Sequence, residues 1–141
     1  MIATIIDSVI GKLEKTGDLN RYEGEWEFAA GHPVEIMVNL YTGERLPASF
    51  QNFLGLLKTK DIEFRRAAAK NLIELYNETW SKRDEKISEE DFAEQIKLEL
   101  ISFDEEEKSV NVYYDDADLF AGHGIKVKAA LDGVVIEADL P

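Results

Sequence analysis

Three carboxylates and an imidazole fall within nine positions in the stretch Tyr113-Tyr114-Asp115-Asp116-Ala117-Asp118-Leu119-Phe120-Ala121-Gly122-His123. Hard cations take several oxygen ligands, and a histidine beside carboxylates is a common transition-metal set, so Asp116, Asp118 and His123 form a chemically permitted metal site. The spacing does not specify one. It lacks the regular Asp-x-Asp-x-Asp-Gly run and closing Glu of a calcium loop, and His123 has no HExxH-type partner. The alternative chemistry is structural. Asp side chains in a bend accept backbone N–H groups, Gly122 supplies a conformation closed to other residues, and Asp116 or Asp118 orients His123. Asp115, Asp116, Asp118 and His123 are therefore candidates for a binding or structural cluster, with no catalytic residue assigned and no cofactor expected.

Other reaction chemistry has less support. Cysteine is absent, which removes disulfides, thiolate metal sites and a cysteine nucleophile. Only His32 and His123 could serve a Ser-His-Asp arrangement, and no Gly-x-Ser-x-Gly elbow is present. Neither a GxGxxG turn nor a GxxxxGK[ST] loop occurs, so nucleotide binding has no local signal. Paired carboxylates abound, but in so acidic a chain the default reading is a solvated face.

The formal charge is −13 over 141 residues, and it is unevenly placed. Asp84 to Asp118 holds fourteen acidic residues against Lys86, Lys97 and Lys108, whereas Lys58 to Arg83 carries seven basic residues against four acids. A chain of this sign repels phosphate backbones, so no nucleic-acid partner is expected. A basic protein partner is compatible, because charge complementarity speeds encounter and selects partners. Glu105, Glu106 and Glu107, with Asp115 and Asp118 nearby, are the expected partner surface. The opening Met1-Ile2-Ala3-Thr4-Ile5-Ile6 lacks a basic region and Asp7 interrupts its apolar run, so neither an export signal nor a membrane span is expected, and a cytoplasmic location fits.

The elements that must position these groups follow from periodicity. Ile2, Ile5, Ile6, Val9, Ile10 and Leu13 fit helical spacing while their β-branching favours a strand, and a strand is expected from about Val9. Tyr22, Gly24, Trp26 and Phe28 alternate with charged residues; Val34, Ile36, Val38 and Leu40 resume the period-two spacing after a turn at Ala30-Gly31-His32-Pro33, which predicts an antiparallel hairpin. After Tyr41-Thr42-Gly43 the stripe Phe50, Phe53, Leu54, Leu57 predicts a first helix, with Pro47 near its first turn. Asp61 reads as the N-cap of a second, running to about Trp80. In Ile87-Ser88-Glu89-Glu90-Asp91-Phe92, Ser88 reads as a cap answered by Asp91, with Ile87 stapling to Phe92, which starts a short third helix. Leu98–Phe103 with Val110, Val112 and Tyr114 predicts a second hairpin around the charged turn Asp104–Lys108. Ile125–Leu131 with Val134–Ala138 predicts a third, across Asp132-Gly133. The expected fold is one α+β domain over residues 1–141: an antiparallel sheet of about six or seven strands, in strands-helices-strands order, with the helices on one face.

The stretch Tyr114-Asp115-Asp116-Ala117-Asp118-Leu119-Phe120-Ala121-Gly122-His123-Gly124-Ile125, following Leu75-Tyr76-Asn77-Glu78-Thr79-Trp80 and the Ser88 helix start, resembles an uncharacterised bacterial family, domain-of-unknown-function family 2262. Its distinctive part is Asp-x-Asp-Leu-Phe-x-Gly-His. Ala121 departs from the large aromatic residue often found there, which weakens a ligand-stacking role at that position. The resemblance implies bacterial origin and this order of elements, and names no activity. The function expected from charge is a protein-interaction domain, such as an immunity-type inhibitor of a basic partner. The alternative is a small metal-dependent enzyme or ligand-binding domain using the Asp/His loop.

Overall fold

The computed structural model describes residues 4–17, 20–41, 45–81 and 86–141. The turn expected at Thr42 and Gly43, the charges at Lys82, Arg83, Asp84 and Glu85, and the opening Met1 to Ala3 lie outside the described residues.

The protein is α+β, but its sheet has eight strands and is mixed rather than antiparallel. Strand β1 (Thr4–Asp7) pairs with β2 (Gly11–Lys15), and β3 (Arg21–Ala29) forms a long hairpin with β4 (His32–Asn39). After the helices come β5 (Lys97–Asp104), β6 (Ser109–Asp115), β7 (Ile125–Ala130) and β8 (Val135–Asp139). Each strand lies beside its sequence neighbours, and all pairs are antiparallel except β4 with β5. That exception follows from topology. A long crossover that begins at one end of β4 and crosses the molecule before entering β5 returns the chain in the same direction, and only such a crossover joins parallel neighbours.

Two expectations at the N-terminus and in the helices are corrected. The strand expected from Val9 begins at Gly11, because the Asp7 carboxylate accepts Val9 N–H (2.8 Å) and Ile10 N–H (2.9 Å) and turns the chain there. In place of three α-helices between the two sets of strands, the described residues form two. The stripes around Phe50 and Phe64 belong to one helix, α1 (Ala48–Leu75), which passes through Asp61 unbroken and widens into a π-helical turn over Tyr76–Trp80. Nothing between Lys58 and Leu75 is a Gly or Pro that would stop it, and Asp61 is occupied elsewhere. The short helix α2 (Glu89–Gln95) starts as read: Ser88 Oγ accepts Asp91 N–H at 3.1 Å.

The buried side chains of every strand lie on one face and join those of α1 and α2 in one hydrophobic cluster. Phe50 stacks on Phe103 of β5 with ring centroids 4.6 Å apart, and Lys58 of α1 covers Trp26 of β3. The His32-Pro33 end of the expected turn is strand; Ala30-Gly31 alone makes the β3–β4 loop, Gly31 taking the positive φ such a loop demands. At Gly24 a side chain is excluded, since a Cβ there would sit 2.6 Å from the Lys12 carbonyl oxygen. The helices cover one side of the sheet. Its other side carries Glu25, Glu35, Lys126 and their neighbours to solvent.

Candidate functional site

The loop joining β6 to β7 is organised around Asp116, which is 1% exposed in a segment where most polar groups face water. Its Oδ1 accepts Asp118 N–H (3.2 Å), and its Oδ2 accepts both Phe120 N–H (2.9 Å) and Gly122 N–H (3.1 Å). Asp115 repeats the motif outside by accepting Ala117 N–H at 3.3 Å. The chain turns tightly here, with Ala117, Asp118, Ala121, Gly122 and Gly124 all at positive φ. Those conformations are unfavourable for Ala and Asp, and three N–H donors aimed at one buried carboxylate offset them.

This loop drives Phe120 into the core, where its ring meets Tyr76, Trp80 and Phe92. His123 is exposed, and its ring meets that of Trp80 edge-to-face with 5.6 Å between centroids. The expected carboxylate–imidazole contact is not made. Among the described residues His123 meets Trp80 and no carboxylate, Asp118 is exposed, and Asp116 is spent on backbone donors. Among the described residues no group of three or more His, Asp or Glu side chains is arranged to hold a metal ion.

The acidic turn between β5 and β6 is also partly committed. Glu105 accepts Tyr41 N–H at 2.6 Å and gives its own N–H to Asn39 carbonyl, while the Tyr41 phenol donates to Asp104. The turn latches the end of β4. Glu106 and Glu107 remain exposed.

A second polar constellation sits inside the fold. Tyr114 is fully buried and its phenol donates to Asp61 Oδ1 at 2.6 Å; Arg65 Nε donates to Asp61 Oδ2 at 3.0 Å, and Arg65 Nη1 to the Ala93 carbonyl at 3.0 Å. Burial, and then the adjacent Asp61 carboxylate, hold the Tyr114 phenol well above its ordinary pKa, against a smaller opposing effect of Arg65. The network ties β6, α1 and α2 together. Nearby, His32 Nε2 donates to the Leu98 carbonyl at 2.8 Å, joining the ends of β4 and β5.

The open face of the sheet carries a charge pattern that sequence reasoning missed. The register sets two rows across it: Glu14, Glu23, Met37, Ser102, Asn111, Lys128, Glu137, and Glu25, Glu35, Leu100, Tyr113, Lys126, Asp139. Glu14 thus faces Glu23 and Glu25 faces Glu35, like charges directly opposite one another, which is destabilising. Lys12 lies 2.8 Å from Glu14 and relieves one of these pairs. At the far side Lys126 and Lys128 face Asp139 and Glu137. Between the two charged zones Met37, Leu100, Ser102, Asn111 and Tyr113 are half-buried and uncharged. The alternation of Glu23, Glu25 and Glu27 was visible in sequence; the partner Glu35 required the two-residue loop at Ala30-Gly31 to set the register.

The chain belongs to the family described as "Uncharacterized protein conserved in bacteria (DUF2262)", whose model matches residues 7–140. Neither the curated proteins nor the solved structures yield a match. Among the described residues no helix is long and apolar enough to cross a membrane.

Proposed function

We propose that this protein is an acidic interaction domain that presents the uncovered face of its sheet to a cationic protein, in the manner of an immunity-type inhibitor of a basic partner. The observation that carries this reading is the pairing of Glu25 with Glu35, repeated by Glu14 with Glu23. Cross-strand like charges work against folding, and departures from local consistency are expected where a sequence serves function. An acidic field steers a positive partner and speeds its encounter. Beside that field lies an uncharged strip with Tyr113, Met37 and Leu100, matching the charge-depleted centre and polar rim of protein interfaces. Glu106 and Glu107 extend the negative field at the sheet's end rather than forming its centre.

The test compares capture from a bacterial lysate by wild type and by a variant carrying Glu23→Gln, Glu25→Gln, Glu27→Gln and Glu35→Gln. Basic proteins retained by the first and lost by the second support the reading. Identical captured sets contradict it.

A further inference from the structure

The charges of the open sheet face are antisymmetric about β5. Strands β3 and β7 each lie two strands from β5, β3 carrying Glu23 and Glu25 on this face and β7 carrying Lys128 and Lys126. The register puts them at matching heights. Glu25 shares its row with Lys126 through Glu35, Leu100 and Tyr113, and Glu23 shares its row with Lys128 through Met37, Ser102 and Asn111. Lys126 and Lys128 are half-buried, and among the described residues neither has a carboxylate within ion-pair distance, although the chain has 29 acidic residues.

A pattern of this kind is self-complementary. Two sheets pack face to face about 10 Å apart with their strands nearly aligned. A two-fold axis running between them along β5 lays β3 of one copy over β7 of the other, β4 over β6, and β5 over itself. Glu25 then meets Lys126 and Glu23 meets Lys128, and symmetry repeats each contact. Glu35 comes opposite the Tyr113 phenol, a group able to donate to it. On the axis Leu100 and Ser102 meet their own copies, and Met37 comes beside Asn111, so the uncharged strip becomes the centre of the contact and the ion pairs its rim. Two like-charged pairs remain at the margins. Glu14 comes against Glu137, where Lys12, 2.8 Å from Glu14, offsets the repulsion; Asp104 comes against its own copy, its carboxylate already bonded by the Tyr41 phenol and Glu106 N–H. An axis across the strands would instead lay β3 on β3 and set glutamate against glutamate, an arrangement that like-charge repulsion disfavours.

We propose that the protein forms a two-fold homodimer through its open sheet face, with the axis along β5 and Glu23 and Glu25 of each copy paired with Lys128 and Lys126 of the other. This rests on the reading of that face as an interface and names its occupant before a cationic partner arrives. The second copy covers the glutamates, and a cationic protein must displace it.

Sedimentation velocity of the purified chain tests the dimer. Wild type should pass from monomer to dimer as its concentration rises towards about 1 mM. Glu23→Lys with Glu25→Lys, and separately Lys126→Glu with Lys128→Glu, should each weaken the dimer at least about tenfold, because like charges then meet at all four contacts. The first of these variants lowers the chain's net negative charge, so general repulsion cannot account for its loss of dimer. An equimolar mixture of the two should restore a dimer, since one chain then presents only positive and the other only negative groups at those contacts; an unfolded variant could not do this. A wild type that stays monomeric at about 1 mM, a double variant that dimerises like wild type, or a mixture that stays monomeric would each overturn the proposal. These measurements use the chain alone, so they stand apart from the lysate capture: either reading can fail while the other holds.

Discussion

The phenol of Tyr114, on the interior strand β6, donates a 2.6 Å hydrogen bond to Asp61 in the middle of α1. Asp61 is held from its other side by Arg65, so one carboxylate links the sheet to the helix that covers it. Tyr114→Phe deletes the donor and leaves Asp61 with Arg65 alone. The expected loss is about 1–3 kcal/mol, measured by denaturant unfolding. The pH dependence has a definite sign. The folded phenol pKa is raised above an unfolded value of about 10, so above that pH the native chain holds a proton that the unfolded chain has released. Stability should fall as pH rises past about 10, and Tyr114→Phe should lose that component of the decline.

Asp116 and His123 should separate cleanly by substitution. Asp116→Ala strands the N–H groups of Asp118, Phe120 and Gly122 in a loop already at positive φ and should cost about 2–4 kcal/mol. His123→Ala removes an exposed ring packed edge-to-face with Trp80 and should cost about 0.5–1 kcal/mol. Equal destabilisation of the two variants would mean that the imidazole supports the loop after all.

The strands were legible because their chemistry is local. Trp26 and Val34 alternate with charged neighbours, and Ala30-Gly31 and Asp132-Gly133 mark their turns, so the three main hairpins follow from period and turn residues. The N-terminal hairpin was blurred because Val9 and Ile10, both β-branched, sit in its turn under the control of Asp7. Asp61 misled for the opposite reason: its type suits a helix cap, but its partners, Tyr114 and Arg65, include one 53 residues away that no local pattern shows. The parallel pairing of β4 with β5 is likewise a tertiary fact. In the candidate loop, the carboxylates' use as acceptors for turn N–H groups was readable from Asp and Gly spacing. The imidazole's choice of Trp80 over a carboxylate was not, because Trp80 arrives from a distant helix.

Glu25→Gln should stabilise the fold by about 0.2–1 kcal/mol, because it removes the repulsion from Glu35 directly opposite. The gain should shrink in high salt, where the exposed pair is screened. Thermal melts at low and high ionic strength check both statements.

One hydrophobic cluster receives side chains from β1 through to β8 and from both helices. Unfolding followed by far-UV circular dichroism and by tryptophan fluorescence should therefore give coincident transitions. Two separated midpoints would divide the chain into independent units.

The central claim is that the open sheet face recruits a cationic protein through Glu23, Glu25, Glu27 and Glu35. The direct measurement is the association rate of the captured partner with wild type, with the variant in which those four are Gln, and with a control in which Glu106 and Glu107 are Gln, at two ionic strengths. Electrostatic steering acts chiefly on encounter, so the four-site variant should associate about tenfold or more slowly, with less change in dissociation and a flattened salt dependence. The control should change far less, and all three proteins should melt cooperatively. Equal association rates for wild type and the four-site variant, or a control that slows as much, would contradict the account.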